Sequence, residues 1–193
     1  MALIRTFITV ELPEELNKEL AELEAQLKKS SPPVVKWVDP NSIHVTLKFL
    51  GEVPEGSIDE LMLAMEESIS GIAPFKLEVC ELGAFPDLNY AQVVWVGVKG
   101  ELSQINQLQK KIESNTEHLD FPRETRAFTV HLTLGRVRNE ASMNERERLG
   151  KVLADVIFTS LHGIDVSAIS LMKSQLTSTG AIYICLGRAK LKA

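Results

Sequence analysis

The sequence predicts a mixed α/β (α+β) chain in which helices are interleaved with strand pairs. Three observations carry this. Apolar residues recur at helical spacing in four separate stretches and alternate in several others. Short turns rich in Gly, Pro, Asp and Asn join several predicted strands, and strands joined that way pair antiparallel. No glycine-rich phosphate loop of the dinucleotide-binding or P-loop kind occurs, so a purely parallel doubly wound sheet is not expected.

Arg5 to Glu11 is rich in β-formers and predicts the first strand. Pro13 opens a helix with Glu14 and Glu15 in its first turn and Leu16, Leu20, Leu23 and Leu27 in one apolar stripe. Lys28 and Lys29 close it before the Ser30-Ser31-Pro32-Pro33 break. Val34 to Val38 predicts a short strand, and Ser42 to Leu50 a stronger one ended by Gly51. Ser57 and Glu60 have capping-box spacing at the start of a second helix, which buries Ile58, Leu61, Met65 and Ile69 and stops at Gly71. Strands over Phe75 to Leu82 and Tyr90 to Lys99 follow, separated by a turn with Gly83, Pro86, Asp87 and Asn89. Gly100 leads into a third helix with Leu102, Ile105, Leu108 and Ile112 at helical spacing. Phe128 to Val137 predicts another strand. Ser142 and Glu145 repeat the capping-box spacing before a fourth helix with Leu149, Val152, Leu153 and Val156. Two last strands run from Ile164 to Gln175 and from Ala181 to Leu191, joined by Ser178-Thr179-Gly180.

A chain of 193 residues suits one domain, or two small lobes sharing a core (1–193), and its 45% hydrophobic content needs no metal or disulfide staple. No stretch has the length of a membrane span, and the apolar run in MALIRTFITVEL passes into an acidic helix with no small-residue cleavage site. These features place the protein in the cytoplasm, away from membranes, and a monomer is expected. Cys80 and Cys185 lack disulfide or metal-type spacing and read as packed free thiols. The net charge of −5 argues against extensive non-specific nucleic-acid binding. It leaves room for a local basic cleft that grips one phosphate.

One internal echo stands out. Ile43-His44-Val45-Thr46-Leu47 matches Val130-His131-Leu132-Thr133-Leu134: apolar, His, apolar, Thr, Leu. With four His and 10 Thr in the chain, two His-x-Thr triplets arise by chance only ~1–2% of the time at average mixing. Residues two apart on a strand share a face, so His44 and Thr46 point one way and Val45 and Leu47 the other; the same holds for His131 and Thr133. If the two strands sit side by side, one cleft receives two imidazoles and two hydroxyls. That set suits phosphodiester cleavage. A neutral imidazole takes a proton from water, a protonated one gives a proton to a leaving oxygen, and hydroxyls stabilise the charged phosphorane oxygens. A strained cyclic phosphate is a reasonable substrate. A catalytic zinc usually takes three protein ligands, and neither motif adds a third ligating side chain, so no metal or other cofactor is expected. His118, near a helix end, and His162, beside Gly163, read as ordinary polar residues.

The paired motifs resemble the two-histidine phosphoesterases, and among them the LigT-like RNA 2',3'-cyclic phosphodiesterases. The likeness spans nearly the whole chain: Arg5-Thr6-Phe7-Ile8, Trp37, His44 through Gly51, Val93 through Gly97, Phe128 through Arg136, and the last strand pair with Ser174 and Tyr183. It implies a bilobal, pseudo-symmetric fold of mainly antiparallel sheets lining a central cleft, with helices outside. It implies further that His44 donates a proton to the leaving 3'-oxygen, that His131 accepts one from water, and that the product is a 2'-phosphate. Val130 stands where the family often has proline. Arg136 matches a position linked to phosphate binding, although simple alternation puts it opposite His131 and Thr133; a bulge at Gly135 would reverse that. Otherwise it covers the strand end. Lys48 shares the face of His44 by alternation and reads as a solvated lysine or a cleft residue. Phe49 and Trp37 read as core, with the resemblance leaving Trp37 open as a base-stacking platform.

The expected partners are RNA ends, or small nucleotides, bearing a 2',3'-cyclic phosphate. Two other functions fit the same residues: 2'–5' RNA ligation, and a binding module that holds RNA ends without turnover. Recognition alone would more naturally use Arg and Lys than paired His.

Overall fold

The computed structural model describes residues 2–177 and 181–192, so the expected Ser178-Thr179-Gly180 turn lies outside the described residues. In chain order the elements are β1 (Leu3–Glu11), α1 (Glu14–Ser30), β2 (Val35–Trp37), β3 (His44–Pro54), α2 (Ile58–Ile69), β4 (Phe75–Phe85), β5 (Val93–Gly100), α3 (Leu102–Glu117), β6 (His131–Val137), α4 (Met143–Asp155), β7 (Ile164–Val166), β8 (Ala168–Leu176) and β9 (Ala181–Lys190). Among the described residues, no helix is long and apolar enough to cross a membrane.

The strands form two sheets, ordered β3-β1-β8-β9 and β2-β6-β5-β4-β7. Their pairings are antiparallel. Without β2 the two orders correspond. Each motif strand (β3 or β6) lies beside the strand that precedes its connecting helix (β1 or β5), followed by two further strands. This is the pseudo-symmetric, two-sheet arrangement expected. The motif strands are not hydrogen-bonded neighbours, because they belong to different sheets; they touch across the space between those sheets.

The helices tie the lobes together crosswise. α1 leaves β1 of the four-stranded sheet, yet its Glu19 carboxylate accepts from Ser160 and from Leu161 N (3.1 Å) on the loop entering β7 of the other sheet. α3 leaves β5 of the five-stranded sheet, yet packs against α2 and β3. One continuous apolar cluster spans both lobes, including Ile8, Val45 and Leu171 from one sheet and Val96, Leu132 and Leu134 from the other.

Several expectations change. The single strand from Ile164 to Gln175 is two strands, because the chain crosses between lobes at Ser167. β7 pairs with β4, β8 pairs with β1, and the Ser167 carbonyl at the break accepts from Leu191 N at 2.9 Å. Gly51 does not end its strand. It lies inside β3 at φ +75°, a conformation that favours glycine, where the register with β1 shifts. The segment Phe128 to Val130 lies before β6, since the Thr129 carbonyl is taken by the His131 side chain rather than by a neighbouring strand. The Ser142 and Glu145 capping box forms. The one at Ser57 does not, because a 3-10 turn over Glu55–Ser57 already gives Ser57 near-helical dihedrals. Val156 caps α4 rather than extending its stripe.

The largest correction concerns Lys48. Opposite β1, Ile8 pairs with Lys48 and Thr9 with Thr46, leaving Leu47 as an extra residue. That bulge inverts the alternation, so Lys48 leaves the face of His44 and lies buried, 5% exposed. Its ammonium donates to Glu113 of α3 and to the Pro122 carbonyl (2.8 Å). Glu113 also accepts from Gln109 Nε2 (3.0 Å) and Glu124 N (3.2 Å). The pair therefore joins β3, α3 and the segment that leads into β6. Losing one partner of a buried pair leaves an uncompensated charge, so Lys48→Met is expected to cost about 3–5 kcal/mol. Adding Glu113→Leu is expected to restore much of that loss. Denaturant unfolding of the single and double variants checks both, and a single variant within about 1 kcal/mol of the parent refutes the assignment.

Candidate active site

Between the sheets lies an open cavity of about 290 Å³. The residues lining it come from β1, β3, β6, β8, β9 and the turn before β3; none comes from the four α-helices. His44 and Thr46 enter from β3, and His131 and Thr133 from β6. Arg136 enters too. Val94 pairs with Gly135 and Trp95 with Thr133, so Leu134 is an extra residue and the alternation inverts, as a bulge at this place requires. Gly135 is needed there because β2 packs closely: a Cβ would fall 2.6 Å from Val35 Cγ1 and 3.2 Å from the Trp37 ring. Trp37 is thereby packed against the strand and the core rather than offered to the cavity.

Both imidazoles are held alike. His44 Nδ1 lies 2.8 Å from the Ser42 carbonyl, and His131 Nδ1 lies 2.7 Å from the Thr129 carbonyl. A carbonyl oxygen only accepts, so each Nδ1 carries the proton and Nε2 is left for proton exchange. Aromatic rings fix the remaining freedom. Phe7 stacks on His44 with centroids 4.7 Å apart, Tyr183 meets it edge-on at 5.2 Å, and Phe85 meets His131 edge-on at 5.0 Å.

Burial lowers the pKa of both histidines below the ordinary value of 6.5, against the opposing pull of the carbonyl bonds. At His131 the Arg136 guanidinium lowers it further. Burial raises the Tyr183 hydroxyl, while Arg5 and Arg136 act to lower it. Among the described residues the lining holds two arginines and no carboxylate, so the cavity is locally cationic within a chain of net charge −5.

Arg5, Tyr183 and Phe49 were not identified from the sequence as site residues. Arg5 pairs in register with Ser174, and Ser174 with Tyr183, so the three form one row across three strands. That row depends on strand pairing, for which a single strand's alternation carries no signal. Phe49, expected in the core, is 66% exposed and borders the cavity, because the bulge at Leu47 returns it to the face of His44. His118 is exposed at the end of α3, and exposed His162 lies 2.7 Å from Glu19, both as polar surface residues. Cys80 and Cys185 are free thiols, the first buried and the second exposed.

Two antiparallel lobes, each presenting a carbonyl-held imidazole and a hydroxyl to one cationic cleft, define the two-histidine phosphoesterase class. The family model described as "LigT like Phosphoesterase" matches twice, over residues 10–95 and 96–183, once for each histidine motif. The chain is 32% identical over 180 residues to an RNA 2',3'-cyclic phosphodiesterase of Methanothermobacter thermautotrophicus, covering 93% of this chain and 95% of that one. It is 33% identical over 183 residues to the protein of that name from Methanocaldococcus jannaschii, covering 93% and 96%. Among solved structures, a Thermus thermophilus protein superposes with TM-score 0.77 at 26% identity over 97% of this chain and 98% of that one. E. coli LigT complexed with 3'-AMP shares the fold with TM-score 0.79 at 22% identity over the full length of both. The chain belongs to the LigT-like phosphoesterase family.

Removing the guanidinium relieves the repulsion on protonated His131, so its pKa is expected to rise toward the ordinary value in Arg136→Gln. The His131 ring, followed by NMR against pH in the ligand-free protein, should titrate at higher pH in the variant. An unchanged midpoint means that Arg136 does not act on the imidazole.

Proposed function

We propose that the protein hydrolyses RNA 2',3'-cyclic phosphate ends to 2'-phosphomonoesters. The observation that carries this is the pair of imidazoles, each with Nδ1 spent on a carbonyl and Nε2 available, lining one cationic cavity. Neutral His131 takes a proton from water as the water oxygen bonds to phosphorus. The bond from phosphorus to the 3'-oxygen breaks, and protonated His44 supplies the proton that this oxygen needs. The hydroxyls of Thr46 and Thr133 donate to the non-bridging oxygens as charge builds on them, and Arg136 holds the phosphate. Neutral His131 is favoured by its burial and by Arg136. Protonated His44 is favoured once an anionic phosphate enters beside it, which offsets the effect of its burial. The names of the relatives, RNA 2',3'-cyclic phosphodiesterase, support this reading.

The working unit is proposed to be one bilobal domain over the whole chain, acting as a cytoplasmic monomer, since both histidines of the cleft come from one polypeptide and one apolar cluster spans both lobes. Catalysis is proposed to be metal-independent. Among the described residues no group of three or more His, Cys, Asp or Glu is arranged to hold a metal ion, and the same-face neighbours of the histidines are threonines.

His44→Ala and His131→Ala are each expected to lower turnover of a cyclic-phosphate oligonucleotide by about a hundredfold or more, as for loss of a positioned acid or base. Thr46→Val and Thr133→Val should cost less, because each removes one hydrogen bond to a charged group, worth roughly 1.5–3 kcal/mol. Near-parental hydrolysis by either histidine variant removes the mechanism. The same assay on the parent separates hydrolysis from ligation and from binding alone.

Turnover should also survive excess EDTA. Loss on chelation, with recovery on adding one divalent ion, would point instead to a metal-assisted reaction.

A further inference from the structure

We propose that Trp95 is a positioning residue for His131: it braces Phe85, and Phe85 holds the imidazole with Nε2 toward the cleft. This rests on the function proposed above, in which His131 is the proton acceptor. The two imidazoles are supported differently. Among the described residues, His44 has a stacked ring, Phe7, and an edge-on ring, Tyr183, whereas His131 has one ring contact, with Phe85. His131 pairs in register with Gly97, so the neighbouring strand β5 puts no side chain beside it. The Thr129 carbonyl that holds Nδ1 belongs to an exposed residue before β6, outside any strand. Phe85 is therefore the ring that limits rotation of the His131 imidazole.

Strand pairing does not tie Phe85 to His131. Phe85 lies on β4, and β5 stands between β4 and β6. Trp95 bridges that gap. It pairs with Thr133, so the two share the cleft-side face of the sheet. Its indole does not line the cavity but crosses to β4, where it lies over Gly83: a Cβ at Gly83 would fall 2.2 Å from Cζ2 and 2.3 Å from Cη2. Another part of the ring reaches Gly97, whose Cβ would fall 3.4 Å from Cζ3. Two glycines thus form the seat of one indole. The Phe85 ring packs on it with centroids 5.3 Å apart and planes tilted by 37°, and meets the His131 ring at 88°. Trp95 Nε1 is buried with no hydrogen-bond partner among the described residues. An unpaired buried donor costs stability, and phenylalanine would avoid that cost. What the indole adds is ring area, enough to span from Gly83 to Gly97 and meet Phe85. An imidazole without this brace turns Nε2 away from the attacking water, and Nδ1 leaves the carbonyl that fixes the tautomer. Both lower turnover without weakening the hold on phosphate, which falls to Arg136 and the threonines.

The test combines steady-state hydrolysis of a cyclic-phosphate oligonucleotide with nitrogen NMR of the histidine rings in the ligand-free protein. It compares the parent with Trp95→Leu, Phe85→Leu, the double variant and Gly83→Ala. Each variant is expected to lower kcat roughly tenfold or more, since a misplacement of about 1 Å costs up to about a hundredfold. KM should stay near the parent value. The double variant should match Phe85→Leu, because Trp95 acts through Phe85. Gly83→Ala deletes nothing; its methyl group displaces the indole, so it should behave like Trp95→Leu, and it decides alone if Trp95→Leu does not fold. In the spectra His131 should be the Nδ1–H tautomer in the parent and a mixture in each variant, while His44 keeps Nδ1–H throughout. A parent-like kcat and His131 tautomer in Trp95→Leu and Gly83→Ala overturn the proposal. So do equal changes at His44 and His131, which mark a general loosening of the fold, and additive losses in the double variant. The spectra need no substrate: a parent that hydrolyses no cyclic phosphate overturns the proposed reaction, and the His131 tautomer still decides whether Trp95 positions that ring.

Discussion

A β-strand presents its side chains with a period of two, and one extra residue inverts that alternation for everything beyond it. This constraint acts twice in the molecule. Up to the threonine of each motif the alternation is regular, so imidazole and hydroxyl share the cleft face and the aliphatic residues between them enter the core. The bulges at Leu47 and Leu134 then turn the next positions over. On β3 this buries Lys48 against Glu113 and returns Phe49 to the cleft. On β6 it places Gly135 under β2 and Arg136 in the cleft. A motif strand without its bulge would put a lysine in one half of the site and leave the other half without a guanidinium.

The same constraint separates what was legible in the sequence from what was not. His44 with Thr46, and His131 with Thr133, were readable because two residues on one regular strand need no information from a neighbour. Lys48 and Phe49 were misplaced because the bulge exists only in the pairing with β1, and Leu47 carries no local mark of it. The sequence supports two readings of Arg136, and the adjacent Gly135 is the one hint of the bulge. The capping boxes make a parallel case. Identical spacing at Ser142 and Ser57 gives a cap in one place and none in the other, since the turn that delivers the chain sets the dihedral angles of Ser57. The break at Ser167 is hidden for a further reason: Ala168 prolongs the apolar alternation of Ile164 and Val166 past it before the buried phase moves to Ile169 and Leu171 in the other sheet.

Crosswise helices explain how two lobes with a cleft between them hold a fixed separation. α1 and α3 each leave a strand of one sheet and make polar contacts with the other lobe, through Glu19 in the first case and Glu113 in the second. Opening the cleft would pull these carboxylates from their partners. Glu113 has a second effect, because its oxygen also accepts from Glu124 N, and the Lys48 that it pairs with donates to the Pro122 carbonyl. The segment that precedes His131 is thus anchored to the strand that carries His44. Spacing between the two imidazoles is set by buried polar geometry as well as by the apolar core.

Duplicated architecture supplies two nearly equivalent histidines, and the proposed reaction needs them in opposite protonation states. Burial lowers both, so burial does not distinguish them. The residues five places further on do. Arg136 adds a positive charge that disfavours protonated His131, and the equivalent Phe49 adds none at His44. When a phosphate anion enters, its negative charge favours the proton on His44, while Arg136 continues to oppose one on His131. In the proposed mechanism the donor is then charged when there is something to donate to, and the acceptor stays neutral. In the empty cleft burial disfavours the charged form of both imidazoles, which stand against the rings of Phe7, Tyr183 and Phe85. In the proposed mechanism, one side-chain difference between two copies of a motif therefore does what the shared fold does not: Arg136 separates the proton affinities of the two imidazoles.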